Sequence, residues 1–122
     1  MLKRLLATCF LACLLPLIAC IWSGSALALK TSAYSEQSQV WKEGYVYGIM
    51  ESLSLLVVED DDTQSARAAS YRQCFQENEI TSAEGVRIVG RFILRTPDAS
   101  AYPMIGNVIR AFGETCARYF QN

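Results

Sequence analysis

Of the five cysteines in this 122-residue chain, Cys9, Cys13 and Cys20 lie in an apolar N-terminal run, so only Cys74 and Cys116 remain for whatever folds after it. That pair constrains the fold more than any other feature. Residues 29–122 are enough for one small core, and a single cross-link must then tie together two elements of the same domain. Joining the two closes a loop of about 40 residues, worth about 4 kcal/mol in the chain-entropy account of disulfides. A redox-active pair is the other use of two thiols, but such pairs ordinarily take C-x-x-C spacing with a lowered thiol pKa. The spacing favours a structural disulfide.

The N-terminal run has the layout of an export signal. Lys3 and Arg4 form a charged start, residues 5–22 are apolar, and Ala26-Leu27-Ala28 has the small-x-small pattern of a cleavage site. The expected division is a signal peptide over 1–28 and a mature domain over 29–122, beginning at Leu29. Pro16 and the cleavage chemistry argue against an uncleaved membrane helix. Leu17-Ile18-Ala19-Cys20 also resembles a bacterial lipobox, in which case Cys20 is acylated and anchors the protein to a membrane. Both routes lead to an oxidising compartment, the periplasm, where a disulfide persists.

The mature region shows helical periods and no strand alternation. Residues 29–37 carry no pattern and are expected to be loose. Ser38 is a candidate N-cap for a first helix that places Val40, Trp41, Tyr45, Ile49, Leu53 and Leu56 on one face and runs to about Val57. Glu59-Asp60-Asp61-Asp62 then favours a turn, because negative charge opposes the dipole of a helix C-terminus. Thr63 can cap a short second helix ending near Cys74. Thr81 and Glu84 fit a capping box for a third, with Val86, Val89, Gly90, Ile93 and Leu94 on one side, stopped by Thr96-Pro97. A last helix starts near Pro103 and carries Met104, Ile105, Val108, Ile109, Phe112 and Cys116. The expected fold is all-α, a small four-helix domain in which the disulfide joins the third and fourth helices to the second.

Composition excludes much chemistry. The chain has no histidine, which removes Ser-His-Asp and Cys-His catalysis and every imidazole metal site. Net charge is −1, and loss of Lys3 and Arg4 makes the remainder more acidic, so no basic excess exists to neutralise nucleic-acid phosphates. Glu43 and Glu51 are too far apart on one helix for a retaining glycosidase pair. No catalytic residue, metal or cofactor is expected. Binding is what remains.

Three features bear on a partner. Gly44 and Gly48 each weaken a helix relative to alanine and suggest close approach of another helix backbone, within the molecule or from a second subunit. Asp60, Asp61 and Asp62 form either a solvated loop or an acidic docking surface; they lack the spaced ligands and glycine of a calcium loop. Arg87, Arg91 and Arg95 repeat every four residues along one stripe, a solvated face by default and good interface material otherwise. Tyr47 and Arg91 are the expected buried anchors of such an interface.

The order of these features is familiar. The helix WKEGYVYGIMESL, the segment ITSAEGVRIVGRFILRTPD and the cysteine-terminated helix VIRAFGETC, behind an export signal, resemble the Rap/Tai family of type VI secretion immunity proteins across about residues 40–118. Some members carry a second cysteine pair, which this chain lacks. The resemblance implies a small all-α periplasmic protein, often a homodimer, that performs no catalysis. Its partner is a cognate effector, a peptidoglycan amidase, which it binds and blocks. A periplasmic chaperone or acid-stress binding protein without an effector is the alternative function class.

Overall fold

The computed structural model describes residues 28–55 and 61–120. Among the described residues five α-helices follow one another: α1 (Thr31–Ser35), α2 (Gln39–Leu55), α3 (Asp62–Glu77), α4 (Ser82–Arg95) and α5 (Met104–Thr115), with 3-10 turns at Ala99–Ala101 and Ala117–Phe120. Among the described residues there is no strand, only an isolated antiparallel bridge between Lys30 and Pro103. The all-α expectation is met by α2 to α5, and α1 is an addition to it. The leader through Leu27, with Cys20, lies outside the described residues, as do Leu56, Val57 and Asp60.

Caps explain most boundaries. The Ser38 hydroxyl accepts from the Trp41 backbone N–H at 3.3 Å, as expected of an N-cap. Thr81 does the same for Glu84 at 3.2 Å, while the Glu84 carboxylate turns to Arg87 and Arg91. The cap of α3 is Asp61 rather than Thr63: its Oδ1 accepts from the Gln64 N–H at 3.0 Å, and Asp62 occupies the first turn, where a carboxylate suits the positive end of the dipole. Asp61 and Asp62 therefore start a helix.

The other end of α3 also differs from expectation, running to Glu77 instead of stopping near Cys74. Its close is a Schellman motif. The Ile80 N–H donates to the Phe75 carbonyl at 2.9 Å and the Glu79 N–H to the Gln76 carbonyl at 3.2 Å. Glu79 holds the left-handed position, φ 50°, that glycine usually fills.

The core forms where α2, α3, α4 and α5 meet. Val46, Met50, Phe75, Val89, Phe92, Val108 and Phe112 are buried together, with Phe75 edge-on to Phe112 at a centroid distance of 5.1 Å. Gly85 makes the crossing of α2 and α4 possible: a Cβ there would stand 2.9 Å from Val46 Cγ1 and 3.1 Å from Met50 Sδ. Cys74 and Cys116 are disulfide-bonded, with Cα atoms 5.6 Å apart across a separation of 42 residues, and neither is exposed. The bond ties the last turns of α3 to the end of α5.

The expected helix faces are met in part. Met104, Val108, Phe112 and Cys116 at α5 and Val89 on α4 are buried, and Tyr45, Ile49, Leu53, Val86 and Ile93 pack against the core, while other expected residues face out. α2 buries Val46, Met50 and Ser54; Val40 is 80% exposed and Trp41 lies partly outside. α4 buries Gly85, Val89 and Phe92, and leaves Leu94 89% exposed. α5 buries Asn107 and Ala111 beside Met104, Val108 and Phe112, while Ile105 and Ile109 face outward. Apolar residues occur on more than one side of each helix, so several stripes of helical period can be drawn and the sequence alone does not choose among them.

Residues 29–35, expected to be loose, are docked. The Leu29 carbonyl accepts from the Met104 N–H at 2.8 Å. Thr31 donates to the Ala99 carbonyl at 3.3 Å and accepts from buried Asn107 Nδ2 at 3.0 Å, which also reaches Ala99 O at 2.7 Å. Tyr34 then packs under Tyr45 and Trp41, whose rings stack at 5.3 Å.

Candidate docking surface

The arginine stripe is real and exposed. Arg87 and Arg91 both pair with Glu84 on α4, the latter at 3.4 Å, and Arg95 reaches across to Glu114 on α5. All three side chains are more than half exposed, so these pairs contribute little to stability and leave the guanidinium groups free to exchange partners.

Arg91 and Arg95 rim an open groove of about 480 Å³ whose floor includes Ile80 and Ile88. Asn78, Thr115 and Glu84, the last paired with Arg91, also line it. Asn78 is held in a hydrogen-bonded network beside the disulfide. Asn78 Nδ2 donates to the Cys74 carbonyl at 2.7 Å and to the Tyr119 hydroxyl at 3.1 Å. The Tyr119 hydroxyl donates to Glu77 at 2.8 Å and accepts from Arg118 at 2.7 Å. Hydrogen bonds from Gln73 and then Tyr119, with Arg118 nearby, hold the Glu77 carboxyl below the ordinary glutamate value. Sequence reasoning missed Ile80 and Asn78; the only cue was a lone isoleucine between two helical patterns.

Tyr47 lies apart from the stripe. It lines a second open groove, about 420 Å³, with Leu55, Arg72 and Phe75, and Ile80 borders both grooves. The negative charge of Glu51, and the hydrogen bond it accepts, raise the Tyr47 phenol above its ordinary pKa. Arg72 donates to the Ser54 carbonyl at 2.8 Å, fixing the end of α2 against α3. Asp62 borders a third depression with Arg67, Ser70 and Phe120, away from the groove of Arg91 and Arg95. Asp61 serves as the α3 cap, and Asp60 lies outside the described residues.

Among the described residues nothing approaches Gly44 or Gly48. A Cβ built at either position meets no atom within 4 Å, so no described helix approaches there; the close approach is at Gly85 instead. The carboxylates of α2 are spoken for locally: Glu43 accepts from Gln39 at 2.8 Å and Glu51 from Tyr47.

Among the described residues no group of three or more Cys, Asp or Glu side chains is placed to hold a metal ion, and no helix is long and apolar enough to cross a membrane. What the arrangement offers a partner is an apolar strip at Ile80 flanked by exchangeable arginines on a cross-linked frame. No protein-family model, curated protein or solved structure matches the chain.

Proposed function

We propose that this chain is an exported inhibitor that acts by binding: a periplasmic immunity-type protein that occupies and blocks a cognate type VI secretion effector, a peptidoglycan amidase. The observation that carries the reading is the groove beside α4, with Ile80 and Ile88 as its floor, Arg91 and Arg95 at its rim, and its wall tied to the Cys74–Cys116 cross-link through Asn78. A surface already fixed before association loses little entropy on binding. Exposed guanidinium groups recognise carboxylates through two parallel hydrogen bonds. The groove suits a segment with an apolar tip and acidic flanks. The motifs over 41–53, 80–98 and 108–116 support the choice of an amidase as the protein that carries it. Asp62, on another side, would act at longer range, on the association rate.

The test is a search for a small cysteine-histidine amidase gene beside this one, followed by a binding and activity measurement with its product. Stoichiometric inhibition of cell-wall cleavage is expected. The charge reversals Arg91→Glu and Arg95→Glu together should weaken binding at least tenfold without loss of helical circular dichroism. An amidase that is neither bound nor inhibited removes the inhibitor reading. Suppression of unrelated clients' aggregation at low pH, in the same absence of amidase binding, selects the chaperone class instead.

A further inference from the structure

We propose that Glu84 is a placeholder on the arginine stripe: its carboxylate holds the seat that a partner's carboxylate takes, and on binding it moves to the Thr81 backbone N–H. The assignment rests on the groove beside α4 being the seat of an acidic partner segment. The start of α4 has the residues of a capping box, in which the threonine hydroxyl accepts from the glutamate N–H and the glutamate reaches back to the threonine N–H. Half of the box forms: the Thr81 hydroxyl accepts from the Glu84 N–H at 3.2 Å. The other half does not. The Glu84 carboxylate takes two arginines instead, and among the described residues no other group accepts from the Thr81 N–H.

The two carboxylate oxygens are divided between the arginines. Oε2 meets Arg87 one turn on, and Oε1 accepts from Arg91 at 3.4 Å two turns on. The Glu84 side chain is 27% exposed, against 55% for Glu114, which pairs with Arg95 alone and does not line the groove. Glu84 does line it, beside Arg91 and the Ile80 and Ile88 floor. A carboxylate is thus already seated at the apolar floor, and it is the chain's own. Without it, guanidinium groups at four-residue spacing would repel one another and attract any polyanion.

The present seat is easily given up. Exposed ion pairs contribute little, and the Arg91 contact is at the long end of hydrogen-bond range. A partner carboxylate can receive two parallel hydrogen bonds from one guanidinium, which Glu84, split between two arginines, does not. The displaced carboxylate is not stranded, because the Thr81 N–H lies at the positive end of the α4 dipole and completes the capping box. Selectivity follows. An anion that offers charge alone only replaces Glu84 and gains little, whereas a segment that also covers Ile80 and Ile88 adds apolar burial to the exchange. A built-in competitor rejects the wrong partner.

Glu84→Gln separates the two seats, because glutamine completes a capping box as glutamate does but cannot neutralise an arginine. The probe is the capped peptide acetyl-EDLLDE-amide, titrated into the exported, oxidised protein and followed by NMR. Glu84→Gln should bind it about three- to tenfold more tightly than wild type, with a steeper loss of affinity in salt. Glu43→Gln, the same change of charge on α2, should stay within about twofold of wild type. In the wild-type protein the Thr81 amide proton should move downfield as the peptide binds, a readout that does not depend on the stability of any variant. In Glu84→Gln it should sit at the shifted position before peptide is added. A Glu84→Gln variant that binds the peptide no more tightly than wild type overturns the proposal, as does a wild-type Thr81 amide unmoved by binding. The amidase result is separate. An amidase that is not bound, with tighter peptide binding by Glu84→Gln, removes the inhibitor reading and keeps the placeholder; an amidase inhibited equally by both proteins does the reverse.

Discussion

The inner and outer sides of α2 meet their surroundings in opposite ways. On the inner side Val46 and Met50 press on Gly85 so closely that a methyl group there would stand 2.9 Å from Val46. On the outer side Gly44 and Gly48 face open space. The same residue type therefore does two jobs: at Gly85 the missing side chain lets two helices cross, while at Gly44 and Gly48 the fold makes no use of it. A glycine in a helix reports a close contact only when the opposing surface is known, and on the outer side none of the described residues supplies one.

The contrast can be broken first at the cross-link that closes the inner side. Cys116→Ala should cost roughly 2–5 kcal/mol in urea denaturation, a large share of the stability of a domain this size. A cost below 1 kcal/mol would mean that the core holds α3 to α5 without it. Next in size, Gly85→Ala should destabilise by about 1–3 kcal/mol, because the contact is with a branched side chain already packed on its other side. By contrast Gly48→Ala, measured on dilute protein, should stabilise by up to about 1 kcal/mol through helix propensity alone. If the two alanine variants shift stability in the same direction, the distinction between the two sides of α2 is wrong.

The smallest expected effect concerns pH at the fixed end. Glu77 has its folded pKa lowered by Gln73, Tyr119 and Arg118, so its contribution is present above the ordinary glutamate range and is lost as pH falls through the lowered value. Tyr119→Phe removes one of the donors and should raise the Glu77 pKa in an NMR titration. An unchanged value would assign the shift to Gln73 and Arg118 alone.

What the sequence made legible was local. Ser38 and Thr81 announce helix starts because a cap needs only the next three residues, and Cys74 and Cys116 are the two cysteines outside the apolar N-terminal run. The phase of the helices was legible only in part: Met104, Val108, Phe112 and Cys116 are buried as expected, while on α2 and α4 the buried side depends on neighbours such as Gly85, far along the chain from Val46. The docking of Thr31 was hidden for the same reason: its partners, Ala99 and Asn107, lie 68 and 76 residues away. The end of α3 was hidden because Glu79 occupies the position where a glycine would have marked it. At the candidate surface the arginine stripe was readable from its four-residue spacing. Its floor was not, because Ile80 belongs to no helical pattern and gains its place only when α3 and α4 fold against each other.

The burial of both sulfur atoms orders events in time. An oxidant can reach Cys74 and Cys116 only while α5 is still off α3, and a reductant can reach the finished bond only after that same opening. The oxidation state of the pair is thus settled during maturation and afterwards insulated from the thiols of its surroundings. A molecule that folds closed before oxidation would keep two thiols that no external catalyst can reach, and the population would retain that history for as long as the core stays shut.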